Sequence, residues 1–164
     1  MGSIRILICD DHSYIRDGFI KRLEFHPGMF IVGEAANGNE MITQYENLKP
    51  DLIISDIEMP PLSGIDALKQ LKLKYPEIKV LFVSVYQGED TIFTIIKAGG
   101  QGLLSKGSDK GELLYAINEV MNDRQYFGPE YTNEKLAAII DKFSTPPKKF
   151  IIDPRKARNY LLCE

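Results

Sequence analysis

Cysteine is almost missing from this chain: of 164 residues only Cys9 and Cys163 carry a thiol. They form no CxxC pair, which excludes a disulfide-stapled scaffold. Cys9 lies inside an apolar run and reads as a small buried hydrophobe. Histidine is as scarce, and His12 and His26 lack metal-ligand spacing, so both read as structural or exposed. No apolar stretch approaches the roughly 20 residues of a membrane span. The N-terminus also lacks the basic-then-apolar pattern of a secretory signal. Excess positive charge is missing too. The formal net charge of −3 argues against nucleic-acid binding by the chain as a whole. Gly99-Gly100-Gln101-Gly102 is a helix stop and strand entry, since no Lys-Ser/Thr follows at nucleotide-loop spacing. These absences leave a soluble cytoplasmic protein, with no membrane partner, as the expectation. Its hydrophobic fraction of 44% suffices for a core, and its length suits one domain plus a remainder.

What is present is a set of hydrophobic runs that stop at polar or charged residues. Ile4 to Cys9 stops at Asp10-Asp11, Leu52 to Ser55 at Asp56, and Gly102 to Ser105 at Lys106; Val80 to Val83 stops at Ser84. Between them the period changes to that of helices. Ile15, Phe19 and Leu23 recur before the stop His26-Pro27-Gly28, and Phe30-Ile31-Val32 is a short second strand. Asn37-Gly38-Asn39 reads as a turn ahead of a helix from Glu40 to Leu48. Later helices carry Ile65, Leu68 and Leu71, then Ile92, Ile95 and Ile96, then Leu113, Ile117 and Val120. In the last, Asp109 and Glu112 have capping-box spacing.

Five strands alternating with five helices predict an α/β fold, a doubly wound five-stranded parallel sheet of (βα)5 type. The strands at 52–55 and 80–83 are apolar on both faces, as a sheet covered on both sides requires. The strand order 2-1-3-4-5 is adopted from folds of this flavodoxin-like kind rather than read from the chain. Such sheets bind ligands outside the carboxyl ends of their strands, where Asp10, Asp11, Asp56, Ser84 and Lys106 would meet. Crowded carboxylates there call for a cation. Magnesium suits them, with its preference for hard oxygens and shared phosphate ligands. A carboxylate can also attack phosphorus, while Lys106 and Ser84 could serve phosphoryl oxygens. Taken singly, each residue has a plainer reading. Asp10, Asp11 or Asp56 could cap a helix, Ser84 could be a turn hydroxyl, and Lys106 a solvated loop lysine. Their joint placement at strand ends favours the site.

The segments Ile4 to His12, Lys49 to Pro60 with Gly64, and Gly99 to Lys106 together resemble the receiver domain of two-component response regulators. Asp10-Asp11-His12 and Arg16-Asp17-Gly18 resemble the NarL/FixJ-type subgroup in particular, over about Ile4 to Asn122. The resemblance implies phosphorylation of Asp56 by a sensor histidine kinase. It implies Mg²⁺ held by Asp10, Asp11, Asp56 and the Glu58 backbone carbonyl, with Ser84 and Lys106 at the phosphoryl group. It further implies a conformational switch, a homodimer formed on phosphorylation, and control of a DNA-binding output domain in transcription regulation. Glu58 is either a modulator of dephosphorylation or a solvated loop charge.

Two positions depart from the resembled pattern. Leu103 stands where receivers usually carry Tyr or Phe, so any signal there must travel through packing. Gly107 stands where many have proline, so no cis X-Pro bond can set that loop. Tyr86 either substitutes for the missing aromatic or is simply a partly exposed ring. Phe93, beyond the core set of its helix, marks that helix face as a candidate partner surface.

The expected organisation is a receiver at 1–125, a linker at 126–149 with a short helix from Glu130 to Phe143, and the start of a truncated helix-turn-helix domain at 150–164. From Phe143 onward Lys148, Lys149, Arg155, Lys156 and Arg158 outnumber Asp153 and Glu164, as a DNA-facing module or a lysine-bearing linker would. Ser144 to Lys149 is linker-like. Ile152 to Lys156 and Tyr160 to Glu164 resemble the first helix of the subgroup's output domain. Two other functions fit the sequence less well. One is a Mg²⁺-dependent aspartyl phosphohydrolase, for which the chain lacks room for a cap domain. The other is a receiver signalling by protein contact alone.

Overall fold

The computed structural model describes residues 2–144. The expected helix-turn-helix start at 150–164, and residues 145–149 of the expected linker, lie outside the described residues. Five strand–helix units run in order: β1 (Ile4–Cys9), α1 (Ser13–Leu23), β2 (Met29–Ala35), α2 (Gly38–Leu48), β3 (Leu52–Asp56), α3 (Gly64–Lys74), β4 (Val80–Ser84), α4 (Glu89–Ala98), β5 (Gly102–Ser105) and α5 (Lys110–Met121). A further helix, α6 (Asn133–Ser144), follows. The sheet is parallel in the order β2-β1-β3-β4-β5, as expected.

Side chains alternate across a strand, and the core divides accordingly. Leu7, Cys9, Ile53, Val80, Phe82 and Leu103 face one way, toward residues of α2, α3, α4 and α6. Ile6, Ile8, Leu52, Ile54, Leu81, Val83 and Leu104 face the other, toward α1 and α5. Both faces are therefore covered, which is why the strands read as continuous apolar runs.

Three elements differ in extent from the sequence expectation. α6 begins at Asn133 rather than Glu130, with Thr132 Oγ1 accepting from the Lys135 N–H at 3.3 Å at its start. α2 begins at Gly38 rather than Glu40, because Asn37 caps it: its Oδ1 accepts from the Glu40 N–H at 2.9 Å. β2 extends to Ala35, since its backbone pairs with β1 as far as Cys9↔Ala35 although Gly33-Glu34 interrupts the apolar run. The capping box at α5 is half made. Asp109 Oδ1 accepts from the Glu112 N–H at 2.8 Å, but the Glu112 carboxylate instead accepts from the Tyr126 hydroxyl at 3.0 Å.

Beyond α5 the chain returns to β5. Tyr126 N–H donates to the Gln101 carbonyl at 3.0 Å, and Leu103 N–H donates to the Tyr126 carbonyl at 2.9 Å. A Cβ on Gly102 would lie 2.5 Å from that Tyr126 carbonyl oxygen, so glycine permits the approach. The chain then enters α6, which packs against α4. Leu136 and Ile139 of α6 are buried in the same apolar cluster as Ile92, Ile95 and Leu103. Ile140, next to Ile139 in sequence, is exposed. Phe93 of α4 stacks on Phe143 of α6 at 5.4 Å between ring centroids, and Lys142 pairs with Glu89 at 3.2 Å. The α4 face marked by Phe93 as a partner surface is thus covered by the chain's own α6.

Candidate functional site

Strand ends place the site. Asp10 continues the β1 ladder, its N–H donating to the Ala35 carbonyl at 3.0 Å, and its carboxylate is 1% exposed. Oδ1 of Asp10 accepts from the His12 N–H at 2.9 Å. Its backbone carbonyl accepts from Arg16 Nη1 at 2.6 Å, and Arg16 is itself paired with Glu34 of β2 at 3.0 Å. Asp56 ends β3 and caps no helix; Ser63 caps α3, accepting from the Asp66 N–H. The Asp56 backbone is fixed from beneath. The buried Ser55 Oγ donates to the Asp56 carbonyl at 2.8 Å, and a Cβ on Gly64 would lie 2.3 Å from that same oxygen.

Lys106 follows β5, its N–H donating to the Ser84 carbonyl at 3.1 Å. Its ammonium lies 2.9 Å from Asp10 Oδ2 and 3.1 Å from Asp56 Oδ2, and so joins the ends of β1, β3 and β5. Asp10 Oδ2 has no other hydrogen-bond partner among the described residues, so the Lys106 ammonium is its counter-charge. Burial pushes the Lys106 amine down, but the two carboxylates outweigh that and hold it above its ordinary value. Asp56 is pushed up, first by burial; the Lys106 hydrogen bond opposes the rise and the Asp10 charge adds to it.

Asp56, Asp11, His12, Glu58, Ser84 and Lys106 line one open cleft of about 470 Å³. The residues expected at the phosphoryl side are therefore brought together with the expected phosphoacceptor. Ser84 Oγ accepts from the Tyr86 N–H at 3.0 Å, which is the turn-hydroxyl role, and its own O–H proton remains to be donated. Tyr86 is an exposed ring whose hydroxyl lies 3.4 Å from Asp90, so it does not fill the aromatic position. Leu103 is 2% exposed and points into the α4–α6 cluster, away from the cleft.

Three potential ligands come within metal-sharing distance: atoms of Asp10, Asp11 and His12 lie within 4.8 Å of one another. Asp56 stands outside that group and reaches Asp10 through Lys106. His12 is the surprise, its Nδ1 lying 2.9 Å from Asp11 Oδ1; only its adjacency to the two aspartates signalled this. A buried carboxylate oxygen with no partner but the Lys106 ammonium, beside an exposed carboxylate, fits a hard divalent cation. Arg16 and Ser55 were missed as supports. Arg16 sits six residues after Asp10, a spacing that carries no recognised meaning before α1 is folded against β2.

The sequence matches the response regulator receiver domain over residues 6–118. It is 32% identical over 131 residues to response regulator GacA of Pseudomonas viridiflava, covering 80% of this chain and 61% of that protein. It is 33% identical over 142 residues to the oxygen regulatory protein NreC of Staphylococcus haemolyticus, covering 85% and 63%. Among solved structures it resembles a two-component response regulator of the LuxR family from Aurantimonas sp. SI85-9A1, with a TM-score of 0.75, 28% identity, and coverage of 87% of this chain and 99% of that one. The chain spans about six tenths of the length of the curated relatives it matches.

Proposed function

The chain belongs to the response regulator receiver family of two-component systems, and from that premise we propose that Asp56 is its phosphoacceptor and that α4 and α6 carry the resulting signal. The observation that supports this reading most is the Lys106 ammonium held between the carboxylates of Asp10 and Asp56. It is a cation already stationed where phosphoryl oxygens would arrive.

A carboxylate oxygen of Asp56 attacks the phosphorus of a kinase phosphohistidine. The O–P bond forms, the P–N bond breaks, and the departing imidazole takes up a proton. Asp10, Asp11 and Asp56, with the Glu58 backbone carbonyl, would hold Mg²⁺, which when bound neutralises phosphoryl charge. Lys106 exchanges part of its contact with Asp56 for the new phosphoryl oxygens. The product carries about one more negative charge than the free carboxylate at neutral pH, so the ammonium follows it. Ser84 turns its free O–H toward the same oxygens.

That movement has a route outward. Ser84 Oγ holds the Tyr86 N–H, so displacing Ser84 draws on the loop that leads into α4. α4 in turn is fastened to α6 by the Glu89–Lys142 pair and the Phe93–Phe143 stack. With Leu103 in place of a hinged aromatic, the readout is a shift in packing among α4, β5 and α6. Homodimerisation and release of a DNA-binding output domain, to which residues 150–164 would belong, are the downstream steps of this reading. Control of transcription is its endpoint.

The test is direct. The protein is incubated with Mg²⁺ and a small phosphodonor, and its intact mass is read. A single phosphoryl adduct that disappears in Asp56→Asn is expected. No adduct, or an adduct retained in Asp56→Asn, refutes the assignment. Repeated turnover of phosphate esters would favour a hydrolase instead.

A further inference from the structure

Lys106 is tied to its carboxylates by a flexible four-carbon stem, and the backbone that carries it is Ser105-Lys106-Gly107-Ser108, a segment with no intrinsic stiffness. Something else must hold that loop still. The Lys106 N–H anchors one side of it to the Ser84 carbonyl at 3.1 Å, and its remaining bonds are local: Gly107 N–H donates to Ser105 Oγ at 3.1 Å, and Ser108 N–H donates to the Ser105 carbonyl at 3.1 Å. The carbonyls of Lys106 and Ser108 face elsewhere, toward α1. There Arg22 Nη1 donates to the Ser108 carbonyl at 2.9 Å and Nη2 reaches the Lys106 carbonyl at 3.4 Å. The guanidinium is itself fixed, its Cζ lying 4.5 Å from the centre of the Phe19 ring. That ring is fully buried in the cluster between the sheet, α1 and α5. Ser108 is buried as well, with no partner for its hydroxyl, so on the α1 side the loop is held by packing and by Arg22.

We propose that Arg22 is a positioning residue for phosphotransfer, its planar fork clamping the Lys106–Ser108 loop so that the Lys106 ammonium stays aimed at Asp56. The proposal rests on the reading of Asp56 as phosphoacceptor. A guanidinium can bond two carbonyls at once with little loss of freedom, whereas an ammonium acts as a point donor. Loss of the fork releases both carbonyls to water and lets the loop, and Lys106 with it, sample more positions. A small misplacement of a charged group at a reacting centre costs one to two orders of magnitude in rate. The carboxylates of Asp10 and Asp11 have no bond to Arg22 and keep their places.

The experiment compares wild type, Arg22→Met, Arg22→Lys, Lys106→Ala and the double variant Arg22→Met/Lys106→Ala. Methionine keeps a stem to cover Phe19, which protects folding, and far-UV circular dichroism checks that it does. The phosphorylation rate with a small phosphodonor at saturating Mg²⁺ is read by intact mass, and Mg²⁺ affinity by calorimetry. About a tenfold slower rate in Arg22→Met is expected, with Mg²⁺ affinity no weaker than wild type and little rescue by lysine. In the Lys106→Ala background Arg22→Met should have no further effect, because a residue acting through Lys106 has nothing left to act on. An effect that persists undiminished in that background overturns the proposal. So does a full rescue by Arg22→Lys, an equal loss of Mg²⁺ affinity, or an unchanged rate. A wild type that takes up no phosphoryl group would instead overturn the assignment of Asp56.

Discussion

Replacing Lys106 with methionine removes the cation between two carboxylates while keeping a stem of similar length. The ammonium lies 2.9 Å from Asp10 Oδ2 and 3.1 Å from Asp56 Oδ2. At that separation and an effective dielectric constant near 20, each attraction is on the order of 5 kcal/mol before desolvation is subtracted. Stripping one partner from a buried pair costs about 3–5 kcal/mol. The cleft is open to water, so the lower end, about 3 kcal/mol, applies at neutral pH in a chelator. For a chain of this size that corresponds to a melting temperature lower by about 6–12 °C. The sign with pH follows from Asp56, whose pKa is already raised and whose hydrogen bond to Lys106 opposes the rise. Without the lysine its folded pKa climbs further, the native state binds more protons than the unfolded state in mild acid, and stability increases as pH falls. The deficit is therefore largest at neutral pH and narrows as the pH falls through the raised Asp56 pKa. Magnesium should act more strongly on the variant, because the carboxylates no longer have an internal cation to displace. About tenfold tighter binding, or about 1.4 kcal/mol, is expected. Thermal melts with chelator and with a Mg²⁺ series, at pH 7 and pH 5, measure all of this. If the variant melts with wild type in chelator at pH 7, or gains no more than wild type from Mg²⁺, the ammonium is not the internal counterion inferred here.

Other substitutions probe the supports of the site. Gly64→Ala puts a Cβ against the Asp56 carbonyl and Ser55 Oγ; a loss of about 1–3 kcal/mol by denaturant titration and slower phosphorylation are expected. Leu103→Tyr forces a larger ring with a hydroxyl into a position 2% exposed. It should destabilise by about 1–3 kcal/mol rather than restore an aromatic switch, and a variant as stable as wild type would show that α6 leaves room there. Leu136→Ala removes an α6 side chain that is 3% exposed. It should cost about 2–4 kcal/mol and raise hydrogen exchange in α4 as well as α6, whereas exchange confined to α6 would mean the two helices are not coupled.

The strands, their parallel arrangement and the residues at their ends were legible in the chain, because each run is apolar on both faces and stops at a charge or hydroxyl. Asp56, Lys106 and Ser84 could be placed at one end of one sheet from that pattern alone, since parallel strands with right-handed crossovers leave all carboxyl ends on one side. The helices α1, α3 and α5 were equally readable from their period. β2 and the start of α2 were read short, since backbone pairing and a side-chain cap set those limits while the hydrophobic pattern does not.

Composition and periodicity, then, determined the architecture and the chemistry at its rim. They act locally, through alternation, helix period and the residues that end each run. What tertiary structure alone decided is how that rim is held and where it leads. Arg22 meets the Lys106 loop across more than 80 positions of chain. Phe93 of α4 is covered by α6 rather than left for a partner. Lys106 stands between Asp10 and Asp56, so two carboxylates that would otherwise repel each other share one internal cation. Such contacts join segments far apart in the chain, where neither spacing nor period carries information, and only the packed sheet with its helices brings them within reach.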